Sequence, residues 1–253
     1  MKRIILLVIC FISVLCISAF VHMPISFALK AMPEFPNLKI ESPSGTIWAG
    51  EAQNVRWQND NLGQVNWQFK PLKLLQGKAN YSLRFGRGSD VKLMGKGNVG
   101  VGLSGLFADN VIISMPAVNV LQRLSIPVPI TVKGNLELSI NDYQYAQPWC
   151  ESATGTLVWA GSKIGSPLGG LDLGSVITDL QCQESKLSAT GEHNNNQLAG
   201  SLQAELQPNL RYNVEARFKP NAEFPTAMTS QLKWLGSPNN KGEYSFTYAG
   251  KLN

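Results

Sequence analysis

Histidine and charge are scarce in this chain, and each scarcity removes a class of chemistry. Only two histidines occur in 253 residues. His22 closes an apolar run, and His193 lies in Glu192-His193-Asn194-Asn195-Asn196, a turn sequence expected to be exposed. A Ser-His-Asp triad would need that turn-tip imidazole buried and oriented by neighbours. Two histidines so far apart also form no zinc constellation. No Gly-x-x-x-x-Gly-Lys-Ser/Thr phosphate loop occurs. Gly95-Lys96-Gly97-Asn98-Val99-Gly100 has the wrong glycine spacing for a dinucleotide loop, and Val99, Val101 and Leu103 continue it as a strand with small residues on the other face. Acidic pairs such as Asp179 and Glu184, or Asp109 and Glu137, read as solvated surface. No catalytic residue, metal ligand, cofactor or small-molecule substrate is therefore expected.

Charged residues make up 15% of the chain, against about a quarter in ordinary soluble domains. The net charge is +5, of which Lys2 and Arg3 supply two. The remaining basic residues are scattered singly, as at Lys92, Lys96 and Lys133. That spacing lacks the density of a nucleic-acid footprint, so no nucleic-acid partner is expected. Low charge together with 23 glycines suits a β-rich protein outside the cytoplasm.

What the sequence does have begins at its N-terminus. Lys2 and Arg3 precede an apolar run from Ile4 to Val21, interrupted only by Cys10, Ser13, Cys16 and Ser18. At about 1.5 Å per residue the run gives a helix of about 27 Å, close to the roughly 30 Å of a bilayer's hydrocarbon core. Ile4, Leu7, Phe11, Leu15 and Val21 are the candidate anchor residues. The two positive charges assign the N-terminus to the cytoplasm and the rest of the chain to the far side of the membrane. A cleaved signal peptide is the competing reading. Its apolar region is typically about 7–15 residues, followed by a small-x-small site. This run is longer, and Ile17-Ser18-Ala19 and Ser26-Phe27-Ala28 are poor sites, so a retained anchor is expected. His22 falls at the outer interface. Ile25 to Met32 can extend the helix until Pro33 ends it.

Beyond residue 38 the dominant period is two. Val65, Trp67 and Phe69 alternate with polar residues. So do Tyr81, Leu83 and Phe85; Leu136, Leu138 and Ile140; Leu198, Leu202, Ala204 and Leu206; Tyr212, Val214, Ala216 and Phe218; and Tyr244, Phe246 and Tyr248. Successive strand side chains point to opposite faces, so this alternation means one apolar and one wet face, the mark of antiparallel sheets. Turn sequences separate the strands, among them Asn59-Asp60-Asn61, Gly86-Arg87-Gly88, Gln207-Pro208-Asn209 and Pro238-Asn239-Asn240.

One segment departs from that rhythm. Val118, Leu121 and Leu124 fall three apart behind Pro116, which predicts a short amphipathic helix connecting two β lobes. Ile126-Pro127-Val128-Pro129 then returns the chain to extended structure. The expected organisation is a cytoplasmic tip and transmembrane anchor over 1–23, a juxtamembrane linker over 24–37, a first β lobe over 38–125 and a second over 126–253. The fold class is all-β with one N-terminal transmembrane helix, its antiparallel sheets twisted or curved. An echo of Gly45-Thr46-Ile47-Trp48-Ala49-Gly50 in Gly155-Thr156-Leu157-Val158-Trp159-Ala160-Gly161 is consistent with duplication or with two unrelated hairpins.

Cys10 and Cys16 fall inside the apolar run, where they act as small apolar residues. Cys150 and Cys182 are alone in the exported part. Oxidising compartments preserve disulfides, so these two are expected to be bonded. Free buried thiols or a redox role are the alternatives, but no Cys-x-x-Cys motif favours the latter. The tryptophans are spread along the chain; core packing and a partner surface are the two readings, with Trp48, Trp67 and Trp159 the candidates for packing behind such a surface.

Gly45-Thr46-Ile47-Trp48-Ala49-Gly50 and the following Trp67-Gln68-Phe69-Lys70-Pro71-Leu72-Lys73-Leu74-Leu75-Gln76-Gly77, with the Lys2-Arg3 anchor and the Cys150/Cys182 pair, resemble the type II secretion system protein N family. The resemblance implies a bitopic inner-membrane protein of Gram-negative bacteria with its bulk in the periplasm. It implies a part in the machine that carries folded proteins across the outer membrane. It implies no catalysis. The partners it implies are other secretion components, in the inner-membrane platform or the periplasmic part of the outer-membrane channel complex. The Gly-Thr-apolar-Trp-x-Gly pattern also resembles AsmA-like β-repeat proteins of the envelope, which implies the alternative of an apolar β groove holding lipid.

Overall fold

The computed structural model describes residues 2–31, 37–123, 130–167, 169–229, 232 and 235–251. The chain separates into two compact units, Met1–Lys92 and Leu93–Asn253. Pro33, Pro36, Leu124, the Ile126–Pro129 segment, the lobe boundary expected near residue 125 and Trp234 lie outside the described residues.

The first unit opens with α1 (Lys2–Val21). At about 1.5 Å per residue its 20 residues give a length of about 30 Å. Ile4, Leu7, Phe11, Leu15 and Val21 are all exposed. The polar groups within it are satisfied by the helix itself: Ser13 Oγ donates to Ile9 O at 2.9 Å, and His22 Nδ1 lies 2.9 Å from Ser18 O. Such internal satisfaction is what a hydrocarbon environment requires. Pro24 interrupts the helix and bridges to Thr46, and α2 (Ile25–Ala31) follows.

Four strands complete this unit: β1 (Leu38–Gly45), β2 (Ala49–Trp57), β3 (Asp60–Phe69) and β4 (Ala79–Arg87). Each pairs antiparallel with its neighbour in sequence. Val65 opposes Phe85, Trp67 opposes Leu83 and Phe69 opposes Tyr81, so the two alternating runs place their apolar sets on one face. A 3-10 turn, Pro71–Gln76, joins β3 to β4 and is closed by Gly77 at φ 69°. That left-handed value is open to glycine without a Cβ clash.

Nine strands form the second unit: β5 (Met94–Gly102), β6 (Gly105–Pro116), β7 (Thr131–Gln144), β8 (Ser152–Ser166), β9 (Gly169–Gln183), β10 (Lys186–Asn194), β11 (Leu198–Leu206), β12 (Arg211–Pro220) and β13 (Tyr244–Lys251). They are antiparallel and lie in sequence order. The all-β class with one N-terminal apolar helix therefore holds. The short helix α3 (Ala117–Leu121) begins just after Pro116. It connects β6 to β7, two paired neighbours. Ala117 is its buried residue, while Val118 is exposed. Another short helix, α4 (Thr226–Thr229), lies between β12 and β13.

Buried apolar residues are few among those described: Ala52, Val55, Val91, Ala117, Cys150, Leu173, Cys182, Phe224 and Leu232. Within each unit the strands contact chiefly their neighbours in the sheet, so much of each sheet face is left uncovered. The two echoing segments are not structurally equivalent. Gly45–Gly50 spans the turn between β1 and β2, whereas Gly155–Gly161 lies within β8, so no duplication follows from them.

Candidate functional site

The candidate tryptophans fall into two groups. Trp48 sits in the β1–β2 turn, half-buried. Its backbone N–H donates to Thr46 Oγ1 at 3.2 Å, and its indole Nε1 donates to Phe20 O, in the last turn of α1, at 2.9 Å. The ring stands edge-on to Phe20 at 4.9 Å and to Phe69 at 4.9 Å, and Phe69 meets Tyr81 at 5.1 Å. Trp67 donates Nε1 to Thr46 O at 3.0 Å. Its ring covers Gly50, where an added Cβ would stand 2.6 Å from Trp67 Cζ2. Trp48 and Trp67 are thus brought to one turn by Thr46. Trp159 belongs to the second unit, between Leu136 and Val176 on the flanking strands, with Nε1 donating to Lys133 O at 2.9 Å.

Cys150 and Cys182 are joined in a disulfide, and both are buried. The chain around them is closely tied. Trp149 Nε1 donates to Ser185 O at 2.8 Å, Ser185 Oγ donates to Cys150 O at 2.9 Å, and the Tyr143 hydroxyl donates to Trp149 O. Cys10 and Cys16 are free thiols exposed on α1.

One face of the second unit is a continuous apolar surface. Leu187, Ala189 and Gly191 of β10 oppose Leu206, Ala204 and Leu202 of β11. These oppose Tyr212, Val214 and Ala216 of β12, and the last two oppose Tyr248 and Phe246 of β13. Phe246 and Tyr248 remain 50% and 55% exposed. Where the chain folds back after β12, Leu171, Leu198, Phe218, Phe224, Met228 and Leu232 line most of an apolar cavity of about 580 Å³. The Tyr248 hydroxyl raises the pKa of Tyr212, with burial adding to the shift, and burial alone raises Tyr81.

His193 is a correction to the sequence reading. It is in β10, opposite Gly200, and half-buried. The turn starts two residues later, at Asn195, whose Oδ1 accepts from the N–H groups of Gln197 and Leu198 at 2.9 and 2.8 Å. Among the described residues no three of His, Cys, Asp and Glu could together hold a metal ion.

The profile described as "Type II secretion system (T2SS), protein N" matches residues 36–247. The chain belongs to this family. Type II secretion system protein N of Vibrio cholerae serotype O1 is 41% identical over 252 residues, covering 100% of both chains. That of Aeromonas hydrophila is 33% identical over 92% of each chain, and that of Pectobacterium carotovorum is 23% identical over 88% of each. No solved structure matches. Membership in the protein N family makes this chain a component of type II secretion, and α1 together with that membership supports a single membrane pass.

Several features of this family member escaped sequence reading: the Phe20–Trp48–Phe69–Tyr81 row, the leucines of the 3-10 turn and the cavity behind Phe224. The second of these had a usable signal. Lys70-Pro71-Leu72-Lys73-Leu74-Leu75 is apolar and basic but lies between two strands, where turns are usually polar.

Proposed function

We propose that this protein is a non-enzymatic inner-membrane component of the type II secretion system, acting by protein–protein interaction in the export of folded proteins across the outer membrane. α1 crosses the inner membrane once, with Ile4, Leu7, Phe11, Leu15 and Val21 among its lipid-facing residues. The N-terminus is cytoplasmic, as expected from Lys2 and Arg3 ahead of the apolar run, and the strands stand in the periplasm, a compartment that suits the Cys150–Cys182 disulfide. The partners are other secretion components, of the inner-membrane platform or the periplasmic part of the outer-membrane channel complex. Strand edges suit that role, since they offer unpaired backbone groups to a second chain.

The observation that carries this reading is the family match over residues 36–247 behind an exposed apolar helix. The test replaces residues 1–22 with a cleavable export signal and measures folded cargo released to the medium. Secretion is expected to fall although the strands are still exported. Undiminished secretion would make tethering dispensable and remove the anchor from the mechanism.

A second reading is favoured by the apolar cavity: an AsmA-like groove that holds lipid. The cavity of about 580 Å³ and the exposed rings of Phe246 and Tyr248 are apolar enough for an acyl chain. Mass spectrometry of the purified full chain discriminates the two. Stoichiometric co-purified lipid, lost in Phe224→Asp, supports the groove; lipid that does not depend on this residue is annular only and counts against it.

A further inference from the structure

All the connections at one end of the first unit meet where α1 ends. Gly45 opposes Gly50, Ala49 opposes Gln68 and Phe69 opposes Tyr81. The β1–β2 turn and the Lys70–Lys78 connection therefore lie side by side at the same end of the strands. Phe20 of α1 is packed on this end through Trp48, and Ile47 N–H donates to Met23 O at 3.1 Å. The opposite end carries the β2–β3 turn around Asn59.

At the α1 end, the 3-10 turn holds its leucines outward. Leu72 is 77% exposed, Leu74 54% and Leu75 87%. Phe27 of α2 is also exposed. Removing apolar side chains from water is favourable, so a turn that presents three leucines is poised for an apolar environment. Lys70, Lys73 and Lys78 belong to the same connection, and Lys30 follows Phe27 by three residues on α2. No acidic residue occurs between Met1 and Pro33 or between Asn61 and Ser89. Apolar tips ringed by cations are the composition of an interfacial element that binds anionic lipid. A bilayer is the occupant the geometry favours over a protein, because the helix that crosses it ends against this same end of the sheet.

We propose that the Lys70–Lys78 turn is a second membrane contact, with Leu72, Leu74 and Leu75 inserted among the lipids of the leaflet from which α1 emerges and the lysines at the headgroups. The proposal rests on α1 being a retained anchor. Two contacts on one rigid end fix the tilt of the first unit's strands on the membrane, which a single helix followed by a flexible join would leave free.

The test uses the full chain carrying Cys10→Ser and Cys16→Ser, with one nitroxide label introduced through Leu15→Cys, Leu75→Cys or Asn59→Cys. The protein is reconstituted into vesicles of phosphatidylethanolamine and phosphatidylglycerol. Collision of each label with oxygen, which partitions into lipid, is compared with collision with a water-soluble nickel chelate. The labels at 15 and 75 are expected to favour oxygen several-fold relative to 59, with 75 shallower than 15. In phosphatidylcholine vesicles position 75 is expected to become shallower still. A label at 75 as accessible to the chelate as that at 59, with 15 immersed, overturns the inference and leaves the anchor standing. Exclusion of both reagents at 75 also overturns it, by showing protein over the turn. A label at 15 open to the chelate overturns the anchor itself, and the inference with it.

Discussion

Trp48 and Phe20, 28 residues apart, are joined twice: the indole N–H donates to the Phe20 carbonyl at 2.9 Å, and the two rings meet edge-on at 4.9 Å. The carbonyl belongs to the last turn of α1, where it also accepts a longer bond from Met23 N–H at 3.4 Å. The tryptophan supplies the shorter of the two bonds at the helix end and ties the helix to the first hairpin.

Removing that tie should be measurable as stability. Trp48→Phe keeps an aromatic ring and loses the hydrogen bond, at a cost of about 0.5–1.5 kcal/mol. Trp48→Ala loses the ring contacts with Phe20 and Phe69 as well. The expected loss is about 1–3 kcal/mol, below the roughly 3–5 kcal/mol of a fully buried aromatic truncation, because Trp48 is only half-buried. Urea unfolding of the full chain in detergent measures both. Proteolysis in the Val21–Ile25 segment should accelerate in the same order. Equal stability of Trp48→Ala and the parent would show that the helix end and the hairpin are independent.

The disulfide makes a second prediction. It closes a loop of 32 residues, for which the chain-entropy model gives about 3.7 kcal/mol as an upper expectation. The surrounding bonds through Ser185 and Trp149 hold the same segment non-covalently, so the native geometry should survive reduction. Unfolding with and without reductant, and of the Cys150→Ala/Cys182→Ala variant, should give the same loss, up to that value. An unchanged midpoint would mean that the bridge constrains nothing the hydrogen bonds do not already hold.

The alternation of Val65, Trp67 and Phe69 made strands legible, and their apolar parity correctly assigned one face to Tyr81, Leu83 and Phe85. The register could not be read, because it is set by the conformation of the Pro71–Gln76 turn. The Trp48–Phe20 bond was invisible for another reason: it is a tertiary contact that depends on where α1 ends and how Pro24 redirects the chain. The cavity was hidden likewise. Its lining joins Leu171 to Phe224 and Met228 through a fold-back that leaves no periodic trace. His193 shows the resolution limit of turn signals. Asn194, Asn195 and Asn196 are equally turn-like in sequence, and a shift of two residues moves the imidazole from the turn into a strand.

Asp172 offers a test by pH. Lys163 Nζ lies 2.6 Å from its carboxylate, and Gly174 N–H donates to Oδ1 at 3.2 Å. Hydrogen bonding by the Lys163 ammonium, then the Gly174 amide, holds its pKa below the ordinary 3.8. A depressed carboxylate pKa stabilises the fold above the unfolded value, and that contribution is lost as pH falls through the folded one. The pair is exposed, so solvent screening keeps the effect small. An NMR titration of the Asp172 carboxyl should give a midpoint below 3.8. Lys163→Met should raise it only part of the way back, since the Gly174 amide remains. A midpoint unaffected by Lys163→Met would show that the ion pair does not persist in solution.

The edge strand β13 carries the last prediction. β1, the edge strand of the first unit, contains Lys39, Glu41 and Pro43, residue types that discourage pairing with another chain. β13 reads Tyr244-Ser245-Phe246-Thr247-Tyr248-Ala249-Gly250, with neither proline nor charge before Lys251. Phe246 and Tyr248 stack 6.3 Å apart and are half-exposed, so an added strand would find both backbone groups and aromatic surface. A photo-crosslinker at Thr247 should therefore capture another secretion component in intact cells, while one at Glu41 should not. Phe246→Asp/Tyr248→Asp should abolish the crosslink and reduce secretion without lowering the protein's membrane level. Capture from Glu41 but not Thr247 would move the docking edge to β1, and the charges and proline there would need another explanation.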